Sequence, residues 1–199
     1  MPRIGRFVGL WVAALAVAGV LAATAAPRVV SPGFWGPTLE HPAPPPDFAL
    51  RDQNGKLIRL SALRGKVVLL TFLYTNCPDL CPLTAARINA AIRTLGAGGN
   101  GVVALAVSVD PLGDTPARVR RFVRTHQLLP QFHYLTGTRP VLKSIWAAYR
   151  VQAVRYPGDD VDHTLYTLLI DRTGKGRVLF DSRASVRTIR HDVGLLLPS

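Results

Sequence analysis

The sequence predicts an α/β domain: a mixed sheet flanked by helices, with an added N-terminal β-hairpin and an N-terminal membrane helix. Three observations carry this prediction. Two continuous apolar runs, Val67 to Tyr74 and Gly101 to Asp110, have the composition of strands buried on both faces. Amphipathic stretches alternate with the strands, which is the pattern of parallel strands joined by crossover helices. The last two strands, in "HTLYTLLIDRTGKGRVLFDS", turn tightly at Gly174-Lys175-Gly176, so the sheet should finish on an antiparallel pair.

The elements follow in order. Residues 1–6 form a basic end with Arg3 and Arg6, and Phe7 to Ala26 runs without a charge. A membrane-spanning helix needs about 20 apolar residues, so 7–26 reads as an anchor or signal segment. Ala23-Thr24-Ala25 offers a cleavage exit, but the length favours an anchor that is kept. The basic end should stay cytoplasmic, which puts the domain on the extracytoplasmic, periplasmic side of the cell membrane as a single-pass protein. No cysteine lies near the apolar stretch, which excludes lipid attachment there. Residues 27–46 are rich in proline and glycine and read as a stiff spacer. The domain proper is expected over 47–199.

Within it, Asn54-Gly55 marks a hairpin between alternating apolar positions. The run from Val67 leads straight into "TNCPDLCPLTAARINAAIRTL", a loop that becomes a helix. "DTPARVRRFVRTHQL" opens with a cap at Asp114 or Thr115 and Pro116 in the first turn. "QFHYLTG" is a short strand. "RPVLKSIWAAYRV" is a helix with Leu142, Ile145, Trp146 and Tyr149 on one side, and "SVRTIRHDVGLLL" is the closing helix.

The chain carries 24 Lys and Arg against 12 Asp and Glu, a formal charge of +12. Such a surface suits acidic proteins or lipid head groups, and the expected export argues against nucleic acid.

Both cysteines, Cys77 and Cys81, lie in "NCPDLCP". Pro78 can take the first helical position with Cys77 as N-cap, where free amides and the helix dipole lower a thiol's pKa. An i,i+4 pair is ~40° apart around a helix and ~6 Å apart along it, so both sulfurs can face one side. They can therefore hold a soft metal when reduced, with Cu(I) the obvious ion, and form a bridge when oxidised. A purely structural disulfide would close a very small loop and stabilise little. A third ligand has to come from a histidine. His126, His133 and His191 sit in regular elements and read as structural or exposed, and His41 as exposed in the spacer. His163 stands just before a buried strand, beside Asp159, Asp160 and Asp162, where loops gather at the sheet end. From these residues alone, a metal ligand and a plain loop histidine are equal alternatives.

"FLYTNCPDLCP", "SVDPLGDTP", "YLTGT" and "VDHTLYTLLIDRTGKG" follow one another in that order. In these motifs, from the hairpin near Phe48 to the last helix, the chain resembles the Sco/SenC family of membrane-tethered, copper-binding, thioredoxin-like proteins of cytochrome c oxidase assembly. The resemblance implies a thioredoxin-like sheet with an added hairpin. It implies copper, as Cu+ or Cu2+, held by Cys77, Cys81 and His163, with Asp110 in a supporting role. It implies a metallochaperone that helps deliver copper to the binuclear copper site of cytochrome c oxidase subunit II. The alternative is a thiol-disulfide oxidoreductase that keeps the partner's copper-ligand cysteines reduced, with Cys77 and Cys81 as its redox pair. Asp162-His163-Thr164 occupies the place where thioredoxin-type oxidoreductases carry a cis-proline. A peroxidase is a weaker reading, because Thr75 lies only two residues before Cys77.

Overall fold

In the computed structural model, residues 33–158 and 160–198 are described. The basic end, the apolar segment 7–26, the first part of the expected spacer and Asp159 lie outside the described residues. Among the described residues no helix is long and apolar enough to cross a membrane.

The strands are β1 (Ala49–Arg51), β2 (Leu57–Arg59), β3 (Val67–Leu73), β4 (Val102–Ser108), β5 (Phe132–Leu135), β6 (Ala153–Arg155), β7 (Val161–His163), β8 (Thr167–Ile170) and β9 (Gly176–Phe180). The helices are α1 (Leu80–Arg93), α2 (Pro116–Thr125), α3 (Arg139–Ala148) and α4 (Val186–Gly194). Five strands form one sheet in the order β5-β4-β3-β8-β9. β3, β4 and β5 are parallel, while β8 and β9 run antiparallel, so the sheet is mixed as expected. Every residue of β3 and β4 is buried, which explains their unbroken apolar runs: helices cover both faces of these central strands.

The β1–β2 hairpin closes around Asp52, whose carboxylate accepts the N–H groups of Asn54 and Lys56, both at 2.9 Å. Gly55 supplies the positive φ of +80° that the turn requires. Asp52 also meets His133 Nδ1 at 2.9 Å, which pins the hairpin to β5.

This topology fixes where chemistry can occur. β3 and β4 are parallel, so their C-terminal ends share one edge of the sheet. β8 is antiparallel to β3, so its N-terminal end lies at that same edge. Three segments therefore converge: the cysteine loop after β3, the loop from Val109 to Thr115 after β4, and the segment before β8 that holds His163. Ligand sites in open α/β sheets form at such an edge.

Three expectations are corrected. Helix α1 begins at Leu80 with Asp79 as its N-cap, whose side chain accepts the Leu80 N–H. Pro78 and Cys77 thus stay in the loop: Asp79, with a short acceptor side chain, is the better cap, and the chain needs the intervening residues to turn out of β3. The segment before β8 is a two-stranded ribbon, β6–β7, with Ala153 opposite His163. Its strands are three residues long, too short to show a period.

Finally, residues 33–46 do not stand off as a spacer. Thr38 bridges Val178, Leu39 N–H donates to Arg177 O, and Gly176 N–H donates to Ala43 O. Trp35 and Gly36 donate their N–H groups to the fully buried Asp192 of α4 at 2.8 and 2.9 Å. The free edge of β9 needs partners for its backbone groups, and a proline-rich chain can still offer carbonyls and some amides to it. The compact part therefore starts before residue 47.

Candidate metal centre

Cys77 sits half-buried in the loop between β3 and α1, and Cys81 is fully buried in the first turn of α1. Cys81 N–H donates to Cys77 Sγ at 3.3 Å, so the helix still offers an amide to the first sulfur although Cys77 is not its cap. Both thiols are free.

The two sulfurs share one proton. The Cys81 thiol donates to Cys77, and this holds the Cys77 thiol down at about 6, below its ordinary range. Partial burial works against that shift, while the backbone amides of Cys81 and Asp79 assist it. The same shared hydrogen bond pushes Cys81 far up, with burial adding to the effect. The neutral-pH state is thus a thiolate at the accessible sulfur and a thiol at the buried one.

His163 ends β7 and its imidazole faces the pair: Nε2 lies 3.7 Å from Cys81 Sγ. Nδ1 lies 3.1 Å from Thr164 O, which can only accept, so Nδ1 carries the proton and the lone pair on Nε2 is left for the sulfur side. Burial lowers the His163 pKa, against the upward pull of Thr164 O and the Asp162 charge, so the ring is neutral at pH 7. The ring also packs edge-on against Tyr74, with centroids 5.7 Å apart.

The residues that hold this arrangement were mostly not legible as site residues. Tyr74 closes β3 and donates its hydroxyl to Asp160 Oδ1 at 2.9 Å, tying the strand end to the loop of the ribbon. Asp110 reaches the ribbon through Arg155: its buried carboxylate pairs with the Arg155 guanidinium on β6, the strand beside β7. Asp110 Oδ2 is buried without a hydrogen-bond partner among the described residues, and a Cβ at Gly113 would fall 2.0 Å from it. Only glycine allows that approach.

Asp114 was read as a possible helix cap. Thr115 takes that place, its Oγ1 accepting the Arg118 N–H at 3.3 Å. Asp114 instead turns inward and accepts from Thr75 N–H at 2.7 Å, Ser108 Oγ at 2.6 Å and Tyr134 Oη at 2.9 Å. It joins the cysteine loop to β4 and β5. Burial pushes its carboxyl up despite these donors.

The other histidines are placed as expected. His126 caps α2 at its C-terminus and packs on Phe122, with centroids 4.4 Å apart. His133 is bound to Asp52. His191 pairs with Asp192 and stacks on Trp35, with centroids 3.7 Å apart. His41 is exposed.

Cys81 and His163 are thus in contact and Cys77 adjoins Cys81. Among the described residues no three His, Cys, Asp or Glu side chains already converge as a closed metal cage. The chemistry of the donor set nonetheless fits a soft metal: a thiolate, a thiol that metal binding would deprotonate, and a neutral imidazole. Taking zinc's bond lengths of about 2.3 Å to sulfur and 2.05 Å to nitrogen as a scale, donors at 120° lie roughly 3.8 Å apart. The observed sulfur–nitrogen spacing is 3.7 Å.

Known proteins share this arrangement of elements. A sequence model described as SCO1/SenC matches residues 37–197. A SCO2-like protein of Rickettsia conorii is 31% identical over 135 residues, which cover 65% of this chain and 65% of that protein. The chain thus spans a little under two thirds of that relative. The structure of Bradyrhizobium japonicum ScoI with copper bound is 33% identical, covers 78% of this chain and all of its own, and superposes with a TM-score of 0.70. BsSco, described as a member of the Sco family of cytochrome c oxidase assembly proteins with a disulfide switch, is 25% identical at a TM-score of 0.66, covering 80% of this chain and 97% of its own.

Proposed function

Since the chain belongs to the SCO1/SenC family, we propose that it is a copper-binding metallochaperone whose Cys77, Cys81 and His163 hold one copper ion and pass it to an apo-protein of cytochrome c oxidase assembly. One observation carries this reading: the unprotonated Nε2 of His163 faces the buried cysteine sulfur at 3.7 Å. Two sulfurs and an imidazole favour Cu(I) over harder ions. The copper-bound relative is consistent with that cargo. Binding would displace the proton shared by the cysteines, and the Thr164 carbonyl keeps the ring in the ligating tautomer. The acceptor we propose is the binuclear copper site of subunit II. Residues 7–26 would anchor the chain, with the domain on the periplasmic side.

The test is copper stoichiometry and affinity of the reduced protein against a competing chelator. The wild type should take up one equivalent. His163→Ala should lose at least the roughly 10–100-fold in affinity that even an outer-shell substitution costs. Equal affinity in that variant removes His163 from the site, and loss of binding in neither Cys77→Ser nor Cys81→Ser ends the copper reading.

A second reading, thiol-disulfide reduction of the partner's cysteines, has its own observation. The accessible sulfur is the thiolate and the buried one holds the proton. Cys77 would attack a partner disulfide sulfur and release the first partner thiolate, which takes up a proton. Cys81, losing its proton, would attack the Cys77 sulfur and release the second. The partner gains two electrons and the chain ends as a Cys77–Cys81 disulfide. Reduction of an acceptor-peptide disulfide by the copper-free protein tests it, and no reaction in the presence of reduced Cys77 would exclude it.

A further inference from the structure

Helix α2 carries Arg118, Arg120, Arg121 and Arg124 on ten residues, with no acidic residue in its first turn. All four are exposed. Among the described residues none of them pairs with a carboxylate, whereas Arg59, Arg155, Arg177 and Arg183 all do. Like charges three and four residues apart repel along a helix, so this row works against the helix that bears it. Other exposed arginines, Arg139 and Arg187 among them, also lack a carboxylate partner among the described residues, so the α2 row stands out by its density, four cations on ten residues.

The row also has a place. Arg118, Arg121 and Thr125 follow one face, and with Phe122 and His126 they line an open cleft of about 430 Å³. The opposite wall is Thr75 and Asn76, the turn that leads directly into Cys77. That turn is held from below by Asp114, which accepts the Thr75 N–H at 2.7 Å. A ligand in the cleft would therefore be registered against a fixed loop next to the accessible sulfur. Of the exposed acids near the site, Asp160 and Asp162 lie on the β6–β7 side beside His163, and Asp79 caps α1 between the two cysteines.

We propose that the arginine-lined cleft between α2 and the Thr75–Asn76 turn is the docking site for an acidic segment of the protein that exchanges metal or electrons with Cys77. This rests on the proposed function only for the partner's role, not for the site itself. Arg118 and Arg121 in the cleft, with Arg120 and Arg124 on the same helix, call for carboxylates on one strand or loop, and guanidinium forks suit bidentate pairing. The contrast between basic α2 and acidic ribbon would fix the partner's orientation, so that its thiols arrive over Cys77 rather than at random. Such a patch acts chiefly on the association rate and is sensitive to salt.

The experiment uses the full chain and two peptides, each with a Cys-x-x-x-Cys pair flanked either by six glutamates or by six glutamines. A serine version of each, labelled with a fluorophore, reports binding to the metal-free protein by anisotropy. The glutamate peptide should bind at 20 mM salt and the glutamine peptide should not. Binding should fall about tenfold or more in Arg118→Glu/Arg121→Glu and in the milder Arg118→Gln/Arg121→Gln. It should persist in Arg139→Glu/Lys143→Glu, which changes the net charge equally on an exposed face of α3. Copper stoichiometry of all variants should equal that of the wild type.

Equal binding of both peptides, or equal loss in the α3 control, overturns the proposal. So does binding of phosphatidylglycerol vesicles through Arg118 and Arg121 without binding of the glutamate peptide, which would make the cleft a lipid contact. Failure of the wild type to load copper would sink the metallochaperone reading while leaving the peptide result to stand or fall by itself.

Discussion

Cys77 should react as a thiolate with a pH midpoint near 6 in the reduced, metal-free protein. The Cys81 thiol, donating to the Cys77 sulfur, does most to lower its pKa to about 6, and the Cys81 amide at 3.3 Å adds to it. At pH 7 a thiol with that pKa is about 90% ionised, against about 3% for an ordinary thiol near 8.5, a gain of roughly thirtyfold in thiolate. Nucleophilicity falls with pKa at a Brønsted coefficient of about 0.4–0.5, so a drop of about 2.5 units costs roughly 10–20-fold in intrinsic rate. The two effects nearly cancel at pH 7. The midpoint, not the rate, is therefore the discriminating quantity. The assay is rapid mixing with a small pyridyl disulfide from pH 4 to 10, following the first second-order phase. The rate should rise with pH through a midpoint near 6 and then level off, since the reactive form is the deprotonated one. Cys81→Ala removes the donated S–H and keeps the amide, so its midpoint should move upward toward 8.5. A wild-type midpoint near 8.5, or an unmoved midpoint in Cys81→Ala, would refute the shared-proton account.

Two further outcomes are expected. Arg155→Met leaves the Asp110 carboxylate, 2% exposed, without its guanidinium; breaking such a pair costs on the order of 3 kcal/mol, read as a lower midpoint in urea, and amides of Val161 to His163 should exchange faster because the ribbon loses its tie to β4. Asp192→Ala removes the acceptor of the Trp35 and Gly36 N–H groups; at about 1.5–3 kcal/mol for each part-buried bond to a charged group, stability should fall by roughly 3–6 kcal/mol and limited proteolysis should begin cutting within 33–46, while copper stoichiometry stays unchanged.

What the sequence determined by itself is local. Unbroken apolar runs identified β3 and β4, because a central strand between two helical layers has no solvated face to interrupt the pattern. Asn54-Gly55 marked the hairpin turn, and the cysteine spacing and the histidine before β8 singled out residues that the fold brings together. What only the tertiary structure decided is direction and partnership. Whether an imidazole 82 residues from Cys81 turns its lone pair toward the sulfur depends on the strand pairing of β3 with β8 and on a single carbonyl at Thr164. Asp114 has the composition of a cap, but becomes a buried bracket because Thr75, Ser108 and Tyr134 meet around it. The proline-rich stretch has the composition of a spacer, but lies along β9 because that edge offers unpaired backbone groups. Composition and period report how a residue relates to its chain neighbours. They carry no signal for a hydrogen bond whose two ends are brought together only after the sheet has formed.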